Sequence, residues 1–504
     1  MAVKIILLIL FFGVMMGIGV YARKHATDVN GFVLGGRSVG PWLTAFAYGT
    51  SYFSAVVFVG YAGQFGYKYG LASTWIGIGN AVLGSLVAWV VLGRRTRIMS
   101  KHLGSMTMPD FFGKRYDSQS LRIAASVIAF IFLIPYTASV YNGLSYLFGM
   151  AFDVDFRICV VVMAVLTGVY VIIGGYMATA WNDLIQGIIM LFGIVAVIAA
   201  VLSGHGGFMA AVKELAQVPS SVMPGAYASF LGPDPANLFG VVILTSLGTW
   251  GLPQMIQKFY AIKDEKAVHT GTIISTLFAI VVSGGCYIMG GFSRISGVKE
   301  AVDGTVKYDT IIPTMLSSLP DILIGIVIVL VLSASMSTLS SLVLTSSSTL
   351  TLDFIKPLFV KKMNEKQQLV WMRVLLAGFI LISVVIALDP PAFIAQLMGI
   401  SWGALAGAFL APFLYGLYWK GVTRAAVWAS FICGVGITVA NMFFRFIASP
   451  INAGAFAMVA GLVIVPVVSL ISPKLKKETV EDVFHCLEEK VMVEQKLALP
   501  EEEE

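Results

Sequence analysis

Two stretches of the chain interrupt predicted helices near their midpoints: residues 45–54 read AFAYGTSYFS, and residues 245–254 read TSLGTWGLPQ. Glycine and proline weaken helices, whereas serine and threonine hydroxyls satisfy backbone groups that a break sets free. Five apolar runs over residues 41–203 begin with the first break, and five more over 237–418 begin with the second. Two such units, each opening with a broken helix, are typical of transporters built as inverted repeats. The alternative is that the two breaks are glycine kinks that serve helix packing, which would give the same sequence pattern.

The composition places nearly the whole chain in a lipid bilayer. Of 504 residues, 58% are hydrophobic and 12% are charged, and the mean hydropathy is +0.88. A helix needs roughly 20 apolar residues to cross the hydrocarbon core, and about thirteen runs qualify. The sequence therefore predicts an all-α polytopic membrane protein and excludes a cytosolic enzyme and a nucleic-acid-binding protein. Arg23 and Lys24 follow the first apolar run, which indicates a membrane span and not a cleaved signal.

The distribution of basic residues sets the expected orientation. With the N-terminus outside, 25 of the 33 lysines and arginines fall on the cytoplasmic side, including Lys258 at the end of a predicted span 237–258. We therefore expect a transmembrane domain over residues 1–472 and a cytoplasmic tail over 473–504. Apolar residues recur at helical spacing between 478 and 498, which predicts a helix that packs on the protein or binds a partner.

A hydroxyl-rich segment lies inside a later predicted span, where residues 333–341 read SASMSTLSS. Ser337, Thr338 and Ser341 share one face of a helix. Hard cations prefer oxygen ligands, and helix hydroxyls supply them without a buried charge. The alternative is that these hydroxyls bond to the preceding turn and permit close helix packing.

Asp183 opens a long apolar run in the segment WNDLIQ, residues 181–186. An ionised carboxylate near hydrocarbon is costly and is usually functional. A bound cation would offset that cost, while a position in the headgroup zone would avoid it.

Four segments, in this order, resemble the sodium/solute symporter family over residues 5–472. They are LGGRSVG at 34–40, Gly174-Gly175 followed by WNDLIQ at 181–186, ASMSTLS at 334–340, and GALAGAFLAP at 403–412. The resemblance implies the LeuT-type fold with a five-plus-five inverted repeat, and Na⁺ as the coupling ion. The chain is most similar to the proline symporter and pantothenate permease branch.

The resemblance also implies two sets of Na⁺ ligands and a pocket between the two broken helices and the third and tenth core spans. The principal Na⁺ site would use Thr50, Phe53, Ala334, Ser337 and Thr338. A possible second site would use Asp183, Ser340 and Ser341 beside Ser337. The expected substrate pocket contains Tyr52, Ser54, Tyr136, Thr249, Trp250, Gln396 and Trp402.

The substrate class stays open between small carboxylates, amino acids and other neutral solutes such as sugars. Proline symporters of the family carry an aspartate where this chain has Tyr52, and a Trp and a Tyr where it has Thr245 and Thr249, which argues against proline. Segments TSYFS at 50–54, YKYGL at 67–71, GLP at 251–253 and KDEKAVH at 263–269 look more like pantothenate permeases.

We therefore expect a Na⁺-coupled symporter, not an enzyme, that imports a small carboxylate such as pantothenate or an amino acid such as proline by alternating access. A proton-coupled carrier and a non-transporting membrane sensor of the same fold are the alternatives. We expect a multi-pass protein of a bacterial inner membrane, with a small-molecule solute and the lipid bilayer as partners, no nucleic acid, and a monomeric functional unit.

Overall fold

The computed structural model describes residues 2–152, 154–298, 306–390 and 393–498, so the last six residues of the predicted tail lie outside the described residues. Within these ranges the chain is helical, and its one β-type pairing is a parallel bridge between Val39 and Ile262. The α-helices of the first half are α1 (Ala2–Ala22), α2 (Val29–Leu34), α3 (Pro41–Tyr52), α4 (Ala62–Tyr69), α5 (Thr74–Ala81), α6 (Arg94–His102), α7 (Met108–Arg115), α8 (Gln119–Phe152), α9 (Phe156–Gly204) and α10 (Phe208–Ala216). Those of the second half are α11 (Pro235–Leu247), α12 (Pro253–Ala261), α13 (Glu265–Gly291), α14 (Ile311–Leu316), α15 (Asp321–Thr349), α16 (Lys356–Leu358), α17 (Glu365–Leu388), α18 (Ile394–Tyr418), α19 (Arg424–Phe444), α20 (Pro450–Ile471) and α21 (Lys477–Ala498).

The first predicted break is present, between α3 and the π-helical segment Val56–Tyr61 that leads into α4. Phe53 is extended, with φ −106° and ψ 92°, and so ends α3. The new helix begins at Ser54, whose hydroxyl accepts a 3.1 Å hydrogen bond from the Val56 N–H and whose carbonyl accepts one of 3.0 Å from Val57. The serine thus satisfies amide groups that the break sets free.

The second predicted break divides α11 from α12. A 3₁₀ turn at Gly248–Gly251 leads to extended Leu252, and the two halves meet at an angle of 47°. Pro253 is the first residue of α12, where its missing N–H costs no intrahelical hydrogen bond.

Ten helices in the described ranges are long and apolar enough to cross a membrane, or eleven when the bent pair α11–α12 counts as one span. The sequence predicts about thirteen, and the difference arises where breaks lie inside long helical stretches. The 49 residues of α9 would extend about 73 Å, more than twice the thickness of a hydrocarbon core. Gly175 interrupts α9 with a left-handed φ of 55°, a conformation that glycine adopts without steric cost. Gly70, with φ 63°, separates α4 from α5 in the same way.

Helix α15 lies at the centre of the molecule, and every residue from 330 to 349 is buried. It packs against α1, α3, α8, α9 and α17. The hydroxyl-rich segment is therefore enclosed by protein on all sides, and one of its faces meets the broken helix α3.

The tail forms helix α21, which packs against α6. Val480, Val483 and Phe484 are buried there, and His102 Nε2 lies 2.9 Å from the carbonyl oxygen of Asp482. The predicted tail helix thus packs on its own chain.

Candidate functional site

The broken end of α3 meets the hydroxyl face of α15 through direct contacts. The Ser337 hydroxyl donates a 2.6 Å hydrogen bond to the Thr50 hydroxyl, and Thr338 Oγ1 lies 3.3 Å from the carbonyl oxygen of Thr50. Thr338 Oγ1 also lies 3.1 Å from the carbonyl oxygen of Ala334, one turn earlier. The structure therefore brings together four residues of the predicted principal Na⁺ site.

Phe53, the fifth predicted ligand, directly follows α3, and its N–H donates to the Gly49 carbonyl at 3.1 Å. The last carbonyls of a helix lack intrahelical partners, and this end of the helix dipole carries partial negative charge. Thr50, Ser337 and Thr338 are fully buried. The arrangement offers a cation several oxygen atoms in a buried site, and none of these oxygen atoms belongs to a carboxylate.

The predicted second Na⁺ site contains a lysine that the sequence places elsewhere. Lys258 Nζ donates a 2.9 Å hydrogen bond to Ser341 Oγ and lies 3.8 Å from Asp183 Oδ2. Asp183 is fully buried and Lys258 is 1% exposed. The sequence analysis counted Lys258 with the basic residues at the cytoplasmic end of a span, whereas the structure buries it inside the helical pair 235–261, three residues before the end.

The other two serines of this set have partners of their own. The Ser340 hydroxyl donates to the Ser337 carbonyl at 2.8 Å, within α15. The hydroxyls of Ser341 and Ser51 are 2.8 Å apart, so that Ser341 connects α3 to Lys258 of α12.

Three aromatic rings of the predicted pocket lie against one another beside the first break. The ring centroids of Tyr52 and Trp402 are 6.1 Å apart, and those of Tyr136 and Trp402 are 5.8 Å apart. Ser54 is a polar neighbour of the Tyr136 hydroxyl. Tyr136 Oη and Trp402 Nε1 are buried near each other, and neither atom forms a well-aligned hydrogen bond with a described residue. Unpaired buried donors are rare, so these two atoms are candidates for binding a polar solute.

Thr249 and Trp250 hold the second broken helix in place. Thr249 Oγ1 donates to the Gly84 carbonyl at 3.2 Å, and Trp250 Nε1 donates to the Leu83 carbonyl at 3.0 Å. Tyr52 Oη donates to the Thr245 carbonyl at 2.5 Å, which joins the two broken helices directly. These polar atoms are thus satisfied by backbone carbonyls.

Gln396 lies apart from the predicted pocket. It is in the first turn of α18, six residues before Trp402, a rise of about 9 Å. There it lines a separate cavity of about 600 Å³ with Pro135, Asn441 and Arg445. The structure therefore does not bring Gln396 together with the aromatic rings of the predicted pocket, and its role in solute binding stays a prediction.

Two tyrosines that the sequence analysis missed extend the pocket. The hydroxyls of Tyr61 and Tyr287 lie close enough to interact electrostatically with each other and with the Tyr52 hydroxyl. The Tyr61 hydroxyl interacts in the same way with that of Tyr136. Both hydroxyls are buried without a well-aligned hydrogen bond among the described residues, and Asn80 lies beside the hydroxyl of Tyr287. Tyr61 follows Ser54 by seven residues, two helical turns, and this spacing is the signal that could have identified it.

Comparisons with known proteins agree with this arrangement. The model of the sodium:solute symporter family matches residues 32–434. Sodium/proline symporters of Staphylococcus aureus strains JH9 and JH1 are each 28% identical over 486 residues, covering 94% of this chain and 93% of the relative.

Solved structures give the fold independently. A Na⁺-coupled sialic acid symporter, solved in a substrate-bound outward-open state, matches with a TM-score of 0.76 at 16% identity and covers 94% of this chain and 99% of that one. A nucleobase-cation-symport-1 family transporter, in a closed conformation with bromovinylhydantoin bound, matches with a TM-score of 0.55 at 13% identity and covers 90% and 97%. These neighbours are LeuT-fold transporters, so the predicted fold is confirmed, while the count of thirteen spans and their orientation stay predictions.

Proposed function

The chain belongs to the sodium:solute symporter family, and from this premise we propose that it imports a small organic carboxylate together with Na⁺ by alternating access. It is a multi-pass protein of the cell membrane whose coupling ion is Na⁺, and its family and neighbours are transporters, not enzymes. The proposal also includes thirteen spans with the N-terminus outside, two inverted repeats and a monomeric functional unit.

The observation that carries the proposal is the contact between the end of α3 and α15. Ser337 and Thr338 reach the hydroxyl and the carbonyl of Thr50 at the break that also bounds the aromatic pocket. A Na⁺ bound there would fix the break and so shape the pocket that begins at Tyr52. Each ligand then raises the affinity for the other by the same factor.

The pocket favours an acceptor-rich solute without a positive charge. Among the described residues, four buried donors form no well-aligned hydrogen bond: the hydroxyls of Tyr61, Tyr136 and Tyr287 and the indole N–H of Trp402. Tyr52 stands where proline symporters of the family carry an aspartate, so no carboxylate faces the amino group of an amino acid at that position. A small carboxylate such as pantothenate fits these donors, whereas the names of the Staphylococcus aureus relatives favour an amino acid such as proline.

Uptake into proteoliposomes tests the proposal. We expect pantothenate or another small monocarboxylate to accumulate when Na⁺ is imposed outside, and neither K⁺ nor a pH gradient to replace Na⁺. The double variant Ser337→Ala/Thr338→Ala should lose Na⁺-driven uptake.

Three results would contradict parts of the proposal. Uptake of proline but not of carboxylates would assign the alternative substrate class. Uptake driven by a pH gradient alone would indicate the proton-coupled carrier. Solute binding without any uptake would indicate a sensor of the same fold.

A further inference from the structure

We infer that the ammonium group of Lys258 occupies the position of the predicted second Na⁺, so that this carrier binds a single Na⁺. The inference rests on the proposed function, since it specifies how many Na⁺ ions accompany the solute. It concerns Lys258, Asp183, Ser340 and Ser341, which are not ligands of the principal Na⁺ site, and Ser337, which the two predicted sites share.

The position of Lys258 follows from the second break. Helix α12 begins at Pro253, and it packs against α3, α6 and α15. The Lys258 side chain is 1% exposed, and its Nζ lies 2.9 Å from Ser341 Oγ and 3.8 Å from Asp183 Oδ2. Two of the residues expected to bind a second Na⁺ therefore contact a cation that is covalently part of the chain.

The remaining oxygen atoms of that predicted site are engaged elsewhere. Ser340 Oγ donates to the carbonyl of Ser337, and Ser337 Oγ donates to Thr50. Ser341 Oγ contacts Ser51 Oγ at 2.8 Å as well as the lysine. A Na⁺ would have to displace Lys258 and break these hydrogen bonds to gain a full set of oxygen ligands.

The charges of Asp183 and Lys258 also argue against a second Na⁺. The buried carboxylate of Asp183 lies 3.8 Å from Lys258 Nζ, so Lys258 is its charge partner. Both groups are buried, where charge interactions are far stronger than in water. A Na⁺ beside Lys258 would place two positive charges against one carboxylate, whereas Lys258 alone neutralises it. Asp183 is therefore explained as the counter-ion of Lys258.

The test counts the Na⁺ ions that bind to the purified full-length protein in the absence of solute. Equilibrium binding of radioactive Na⁺ should give one ion per chain for the wild type, with a Hill slope near 1. Lys258→Met frees Asp183 and Ser341 from the ammonium group, and we expect the stoichiometry to rise to two. Lys258→Arg keeps the positive charge and should stay at one.

A charge-balanced variant keeps the test decisive even where Lys258→Met does not fold. Lys258→Met/Asp183→Asn removes both charges, and we expect it to bind one Na⁺, as the wild type does. Two Na⁺ ions on the wild type and one on the double variant would overturn the inference and leave the symporter assignment intact. A Lys258→Met protein that folds and binds one Na⁺ would also overturn it. No Na⁺ binding by the wild type would instead contradict the proposed function.

Discussion

The hydroxyl of Ser337 donates a 2.6 Å hydrogen bond to the hydroxyl of Thr50, which joins α15 to the last turn of α3 next to the break. The two residues are 287 positions apart in the chain, and both are fully buried. A ligand that shifts one of these helices therefore also shifts the other through this hydrogen bond.

Ser337→Ala should weaken Na⁺ binding at least tenfold, about 1.4 kcal/mol, because it removes an oxygen atom at the junction of the two helices. The measurement is the Na⁺ concentration that gives half-maximal thermal stabilisation of the purified protein. Ser335→Ala is the matched control on the same helix, since the Ser335 hydroxyl donates only to the carbonyl of Val331 at 2.6 Å. Equal Na⁺ affinities for the two variants would remove Ser337 from the site.

Asp183→Asn should destabilise the protein by roughly 3–5 kcal/mol, because it leaves the buried ammonium of Lys258 without a counter-charge. Replacing both charges in Lys258→Met/Asp183→Asn should recover most of this loss, since a neutral buried pair carries no desolvation penalty for ions. Thermal melts of the single and double variants in detergent form a double-mutant cycle. Additive effects of the two substitutions would show that the ion pair makes no contribution.

Asp309 should make the stability of the protein depend on pH. It lies in the segment Tyr308–Thr310, outside the candidate spans, and accepts a 3.2 Å hydrogen bond from the N–H of Ile394. Burial raises the pKa of the Asp309 carboxyl to about 6, and this hydrogen bond partly opposes the shift. The folded protein thus holds the proton more tightly than the unfolded chain, so the contribution to stability is full below about pH 4 and is lost as pH rises through about 6.

Asp309→Asn should abolish this dependence while its amide oxygen keeps the hydrogen bond from Ile394. At pH 7 the variant should be more stable than the wild type by on the order of 2–3 kcal/mol, and at pH 4 the two should be nearly equal. Melting temperatures across pH 4–7 check this expectation. Parallel pH profiles for the two proteins would contradict it.

Gly290→Ala should destabilise the packing of α13 against α4 by about 1–3 kcal/mol. A Cβ at Gly290 would overlap the backbone carbonyl of Ala62, which cannot move as a side chain could. Gly284→Ala on the same helix is the control, because nothing lies within 4 Å of the added atom. We expect the control to be neutral or slightly more stable, since alanine is the better helix former. Similar thermal stabilities of the two variants would show that the helices separate easily here.

Tyr136→Phe should reduce the affinity for the solute about tenfold and leave Na⁺ binding without solute unchanged. It removes a pocket hydroxyl that forms no well-aligned hydrogen bond among the described residues. The control is Tyr415→Phe, whose hydroxyl donates to the Leu462 carbonyl at 3.0 Å away from the pocket. Solute titrations at saturating Na⁺ measure the difference. Unchanged solute affinity in Tyr136→Phe would place the solute elsewhere.

The sequence predicts those features of this protein that follow from local composition. Both breaks could be located from the sequence because serine and proline are typical of helix beginnings, as at Ser54 and Pro253. The contact between Thr50 and Ser337 was expected only through the family resemblance, since no local pattern indicates which of many buried hydroxyls meet across the bundle.

Features that depend on depth and direction were not predictable in this way. Lys258 was counted as the end of a predicted span and not as a buried residue, because the length that the break adds to the helical pair is invisible in hydropathy. Gln396 was placed in the pocket because it shares a helix with Trp402. The direction in which the side chains of Gln396 and Trp402 point depends on how α18 packs against α8 and α19.

The ion pair of Lys258 and Asp183 also bears on how far the carrier can concentrate its solute. The pair is electrically neutral, so the chain's own buried charges cancel when the carrier returns empty. With one Na⁺ and a monocarboxylate, the loaded carrier moves no net charge either, and the membrane voltage, worth about 2.3 kcal/mol per charge at 100 mV, does not act on the cycle. Accumulation of a monocarboxylate then stops at the ratio of external to internal Na⁺, whereas an uncharged solute would be concentrated further by the voltage.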